Sequence, residues 1–156
     1  MKFAGLILIL LIPASNAVPG EKCRCVPAPL NEATHYGGNR LIVFHETKSY
    51  PSLQGVVLDQ SGAEMQDVLI EVFDHPEWLL LGYPEFEKAR QKQRKIAACK
   101  TGADGRFCFA GLPHGKYELR CSFGPGMNGT HVHVTIAGSR IAHPRRSLRV
   151  TMSLGT

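Results

Sequence analysis

The sequence predicts an all-β fold, a sandwich of seven or eight short antiparallel strands with one insertion at about residues 76–95. Three observations carry this. Short apolar runs recur from Leu53 onward: Leu53 to Asp59, Asp67 to Phe73, Ile96 to Lys100, Arg106 to Ala110, Lys116 to Phe123, His131 to Ile136 and Leu148 to Leu154. Turn chemistry separates them, in Gln60-Ser61-Gly62, Gly102-Ala103-Asp104-Gly105, Leu112-Pro113-His114-Gly115 and Gly124-Pro125-Gly126, where glycine supplies positive φ and proline a fixed one. Within the runs, apolar and polar residues alternate with the period of a half-buried strand.

Before the first run the chain reads differently. Lys2, the apolar run Phe3 to Ile12, Pro13 and the small residues Ala14 to Ala17 form a secretory signal peptide over residues 1–17, with cleavage near Ala17. The apolar run is about half of the roughly 20 residues that a spanning helix needs, so no transmembrane segment is expected. The expected destination is secreted, periplasmic or extracellular. Residues 18–52 read as an irregular N-terminal arm, broken by Pro19, Pro27, Pro29 and Gly37-Gly38, with a strand only from Leu41 to His45. Residues 53–156 form the sandwich.

Each strand has an expected inner face. Tyr117, Leu119, Cys121 and Phe123 alternate with Lys116, Glu118, Arg120 and Ser122, which turns the first set into the core. In Thr130 to Ile136 the inward residues are Val132, Val134 and Ile136, so His131 and His133 project outward together. Val68 to Phe73 is apolar on both faces except at Glu71, the mark of a central strand covered on both sides. The insertion departs from this rhythm. It holds Pro76, then Trp78, Leu79, Leu80 and Leu81, then residues of good helix propensity from Pro84 to Arg94. Its apolar cluster either covers an open end of the core or presents a hydrophobic patch to a partner.

The formal charge is +5, concentrated in Lys88, Arg90, Lys92, Arg94 and Lys95 and in Arg140, Arg145, Arg146 and Arg149. Neither stretch interleaves aromatic residues for base stacking, and an exported protein is not expected to meet nucleic acid. The stretches are solvated faces or a contact for an anionic surface. All five cysteines, Cys23, Cys25, Cys99, Cys108 and Cys121, follow the signal, and an oxidising destination permits disulfides. A hairpin turning at Gly102 to Gly105 would set Cys99 opposite Cys108. Opposed Cβ atoms lie about 4.5 to 5.5 Å apart, near the roughly 3.5 to 4.5 Å of a disulfide, so a Cys99–Cys108 bridge is expected. The odd cysteine allows a disulfide-linked dimer. Asn128-Gly129-Thr130 is either an exposed N-glycosylation sequon or an ordinary Asn-Gly turn.

The segments Gln54 to Asp59, Gly62, Val68 to Val72, Thr101, Asp104-Gly105-Arg106-Phe107, Phe109, Leu112, Gly115-Lys116-Tyr117 and Leu119 occur in an order that resembles the carboxypeptidase regulatory-like domain. That family is a prealbumin-like, immunoglobulin-like sandwich related to the B-type repeats of collagen adhesins, and the match covers about residues 53–136. The resemblance implies an extracellular, non-catalytic module without a cofactor. Its residues are turns and core aromatics, and the chain has no His-Glu-x-x-His zinc motif.

A second resemblance is to the intradiol dioxygenases, which hold ferric iron with two tyrosines and a His-x-His pair. Tyr83, Tyr117, His131 and His133 stand at roughly matching places, and phenolate with imidazole suits a ferric centre. That resemblance implies a catechol-like substrate. The sequence departs from it in three ways: the alternation turns Tyr117 away from the histidines, Glu118 stands where that family has proline, and Met127 and Asn128 stand where it has arginine. The expectation is therefore a secreted, non-enzymatic sandwich. It would bind an unidentified protein, carbohydrate or envelope surface through the apolar insertion and the arm, with the ferric dioxygenase as the alternative.

Overall fold

The computed structural model describes residues 25–32, 41–74, 88, 91–138 and 147–155. Residues 1–17, expected to be a signal peptide, lie outside them, as do Cys23, Trp78 to Leu81 and Tyr83. Lys88, Gln91 and Lys92 have helical backbone, in keeping with the propensity of that stretch. No helix among the described residues is long and apolar enough to cross a membrane.

The protein is an all-β sandwich. Its strands are β1 (Val26–Pro27), β2 (Leu41–Tyr50), β3 (Leu53–Leu58), β4 (Leu69–Phe73), β5 (Lys95–Lys100), β6 (Arg106–Phe109), β7 (Gly115–Ser122), β8 (Gly129–Ile136) and β9 (Leu148–Thr151). The seven runs beginning at Leu53 all form strands within a residue or three of their expected limits. They are divided between a six-stranded sheet, in the order β1-β5-β4-β7-β8-β2, and a three-stranded sheet, β6-β3-β9.

Between the sheets lies one core. The larger sheet contributes Ile70, Val72, Cys99, Leu119, Val132, Val134 and Ile136. Leu53, Val57, Phe107, Phe109, Leu148 and Val150 face them from the smaller one. Gly55 has no side chain because Phe107 and the backbone of Leu148 occupy the space where a Cβ would stand. As expected, β4 is buried along its whole length, between β5 and β7. Thr101 ties its entry down: the buried hydroxyl accepts from Val68 N at 3.0 Å and donates to Met65 O at 2.6 Å. Tyr117 fills the core and donates its hydroxyl to Pro113 O at 2.7 Å, four residues upstream, which fixes the corner leading into β7.

Three expectations about connectivity are corrected. The sheets are mixed, because β2 runs parallel to β8 and β3 parallel to β9. The strand in the arm, expected only from Leu41 to His45, extends to Tyr50 and pairs with β8 in the main sheet. Its polar stretch from His45 to Ser49 hides this, since the strand is recruited by pairing with a segment about 90 residues later and carries a register shift there.

The third correction concerns cysteine. Gly102 to Gly105 does form a tight turn, with Gly105 at φ 64°. The strands on either side then part: Cys99 pairs across to Ile70 and Pro27 in the larger sheet, while Cys108 pairs with Gln54 in the smaller one. The two cysteines are not opposed, and Cys99 is a free thiol, as are Cys25 and Cys121. Cys25 donates to Cys108 O at 3.2 Å and accepts from Cys108 N at 3.5 Å.

Burial pushes both core thiols up, Cys121 from an ordinary 9.0 to about 12, and Cys99 further, aided by Cys25. A thiolate is the reactive form, so Cys121 should carry on the order of a thousandfold less of it than an ordinary thiol. Iodoacetamide should therefore label Cys25 in the native protein while Cys99 and Cys121 react only after denaturation, as read by mass spectrometry of the peptides. Equal native labelling of all three, or a Cys99–Cys108 peptide in a non-reduced digest, would contradict the arrangement.

Candidate functional site

Two features of the sandwich hold polar or ligand-sized chemistry: the outer face of the six-stranded sheet, and one end of the sandwich.

The outer face follows from alternation. Glu71 on β4, Glu118 and Arg120 on β7, and His131 and His133 on β8 all point away from the core, as their strand positions require. The cross-strand register then brings them together: Glu71 is opposite Arg120, Arg120 opposite His131, and Glu118 opposite His133. Unlike an ordinary outer face, this one is covered. Glu71, Glu118 and His131 are each 0% exposed. The expectation of outward imidazoles is right about direction, but His131 is fully buried and the His133 side chain keeps only 11% exposure.

Glu118 is the centre of this cluster. Its carboxylate accepts from Arg120 Nε at 2.9 Å and from Gln93 Nε2 at 2.7 Å, and lies 2.7 Å from His131 Nδ1. Gln93 closes a ring by accepting from Arg120 Nη2 at 2.6 Å. Glu71 pairs with Lys95, and Arg120 stacks over Phe73 at 3.7 Å from the ring centroid. His45 on β2 meets His133 edge-on at 5.0 Å. Burial alone would raise the Glu118 pKa, but hydrogen bonds from His131 and Arg120, the Arg120 charge and the Gln93 bond outweigh it and hold the carboxyl far below its ordinary 4.5. Three donors thus converge on a carboxylate that is 0% exposed. The cluster holds four strands together.

Tyr117 and the histidine pair of the ferric alternative do not converge. Tyr117 lies on the inner face with its hydroxyl bonded to Pro113, and His131 lies on the opposite face bonded to Glu118. Among the described residues, no group of three or more His, Cys, Asp or Glu side chains is disposed to hold a metal ion. Asn128 is also not an exposed sequon: it is 4% exposed, and its amide donates to Ser153 Oγ at 3.0 Å and Leu154 O at 2.8 Å.

At the end of the sandwich where β3, β7 and β9 finish, their following segments enclose a groove of about 660 Å³. On one side the chain reverses after Leu58, with Asp59 Oδ1 accepting from Ser61 N, Ser61 Oγ and Ala63 N at 2.7 to 2.9 Å. It returns past Met65 to Asp67, a residue held at φ 59° with its N–H donating to Thr101 O. On the other side Phe123, expected to point into the core, leaves the strand and stands 38% exposed at the mouth. Gly124 and Gly126, both at positive φ, turn the chain back to Met127, which pairs with Leu154. Met152, bonded through its N–H to Leu58 O, forms the floor.

The lining is apolar at Met65, Phe123, Met127, Met152 and Leu154, and acidic at Asp59, Glu64 and Asp67. Gln60, Ser61 and Gln66 complete it. Sequence reasoning missed the groove. Its turns were legible, but nothing local says that the three methionines after Met1 meet at one place.

No protein-family model matches this sequence, and neither does any curated protein. Among solved structures, it is similar to 3-chlorocatechol 1,2-dioxygenase from Rhodococcus opacus 1CP, at 14% identity and a TM-score of 0.37, over 87% of this chain and 74% of that one.

The ionic cluster makes a pH prediction. Since the folded-state pKa of Glu118 lies below that of the unfolded chain, its contribution is complete above the ordinary value of 4.5 and is lost as pH falls through the folded value. Glu118→Gln should cost roughly 3 kcal/mol near neutrality, because the buried Arg120 guanidinium loses its counter-charge. The variant's melting temperature should then fall less steeply than the parent's between about pH 5 and about pH 2. Parallel curves would show that the carboxylate is not the group being titrated.

Proposed function

We propose that this chain is a secreted, non-catalytic sandwich that binds a ligand at the cell envelope, and that the groove at the end of the sandwich is its binding site. The observation that carries this is the groove itself: its volume of about 660 Å³ is that of ligand sites. Leu154 at 66% exposure and Phe123 at 38% leave apolar surface at its mouth. Methionines supply an adaptable floor. The signal-like residues 1–17 and the resemblance of residues 53–136 to the carboxypeptidase regulatory-like domain favour an exported accessory module. The engagement of Glu118 and Tyr117 in structural bonds favours a non-catalytic role. Trp78 to Leu81 would then act as a second contact.

A neutral, environment-sensitive dye such as Nile red should bind the purified protein saturably at one equivalent. Leu154→Asp and Phe123→Asp should each weaken it about tenfold, since each removes apolar contact area and adds a charge. Their melting temperatures should stay near the parent's because both side chains are exposed. Unchanged dye affinity in both variants would remove the groove from consideration. Protein reconstituted with ferric iron should remain colourless; a red to brown tyrosinate-to-iron band would replace this proposal with the dioxygenase reading.

A further inference from the structure

We propose that the occupant of the groove is a small amphiphilic cation, a ligand with an apolar body and one positively charged group. This rests on the reading of the groove as the binding site and adds the chemistry of what it holds. The apolar part of the lining is one continuous surface formed by Met65, Met127, Met152, Phe123 and Leu154. Among the described residues, the charged part of the lining is of one sign: Asp59, Glu64 and Asp67, without lysine or arginine. This is a local reversal in a chain of formal charge +5. A groove lined by one sign of charge beside a low-dielectric wall concentrates ligands of the opposite sign.

Two of the three acidic residues are held in place by the fold. Asp59 has an exposed carboxylate whose pKa is lowered by hydrogen bonds from Ser61 and Ala63, so it is anionic under any ordinary condition. Asp67 is kept in the left-handed region, which L-residues enter at a cost, by its bond to Thr101 O. Lys100 lies close enough to Asp67 to feel its charge, but its ammonium is paired with Glu32 at 2.8 Å. The Phe123 ring at the mouth favours a cationic head beside an apolar body. A fatty acid or other anionic amphiphile would meet the same apolar floor and be repelled at the rim.

The test compares ligands that share a tail. Decylammonium, decanol and decanoate, each below its micellar concentration, are titrated calorimetrically into the full chain, alongside a short alternating leucine-lysine peptide amide. The expected order is decylammonium, decanol, decanoate, with the first step about fivefold at low salt, the scale of a few partly screened carboxylates. In the triple variant Asp59→Asn, Glu64→Gln, Asp67→Asn that step should shrink to within about twofold while decanol binding is kept. Asn retains the acceptor oxygen at position 59 and tolerates positive φ at position 67. Decanoate binding as well as decylammonium, or a preference that survives the triple variant, overturns the charge assignment and leaves the groove reading standing. Tighter binding of the peptide overturns the small-molecule assignment. Failure of all four ligands overturns the groove reading itself.

Discussion

The larger sheet depends on one constraint: a carboxylate, Glu118, sits fully buried in its middle and must be compensated there. A buried charge without partners costs several kcal/mol even after relaxation. The compensation comes from Arg120 on the same strand, His131 on the next, and Gln93 from the segment entering β5. Removing any one of these would leave a buried polar group unmatched. The registers of β4, β7 and β8 are therefore fixed by charge on the outer face as well as by the apolar alternation on the inner one. A slip of one residue would carry Glu118 into the hydrocarbon core.

The same cluster anchors the connection between β4 and β5. Arg94 bonds both oxygens of Asp74, and Gln93 reaches Asp74 O as well as Glu118. The two ends of the insertion thus meet at a clamp continuous with the buried ions. Lys95 adds its pair with Glu71 and a bond to Glu32 O, which brings the chain near β1 into the same network. While both faces of the central strands are committed to packing or to ion pairing, the groove lies at the end of the sandwich, where turns carry the lining residues. Loops on a rigid sandwich are a common place for binding chemistry, because they can vary without disturbing the sheets.

Much of the fold is legible in the chain. The inward faces of β7 and β8 follow from alternation, Tyr117, Leu119 and Cys121 against Lys116, Glu118 and Arg120, and β4 reads as doubly covered because it is apolar on both faces. The turns at Gly62 and Gly105 are marked by residues that accept positive φ. Legibility stops where a choice between partners begins. The sequence around Gly102 to Gly105 describes a tight turn correctly, but whether the flanking strands stay together or separate into two sheets depends on Ile70 and Gln54, which lie far away in the chain. The Cys99–Cys108 pairing fails for that reason. Asn128 is misread likewise, because its partners, Ser153 and Leu154, come from the C-terminal segment.

The sequence alone determined where the strands lie, which side of each is apolar and where the chain reverses, since these depend on neighbours one to four residues away. Tertiary structure alone decided that the polar side of the central strands is buried. A polar residue facing away from the core is equally compatible with water and with an ion partner, and only the register that brings Glu118, Arg120 and His131 together distinguishes them. It also decided that Met65, Met127 and Met152 line a single groove. Three methionines spread over 88 positions carry no local pattern, and they converge because β3, β7 and β9 all end on the same side of the sandwich.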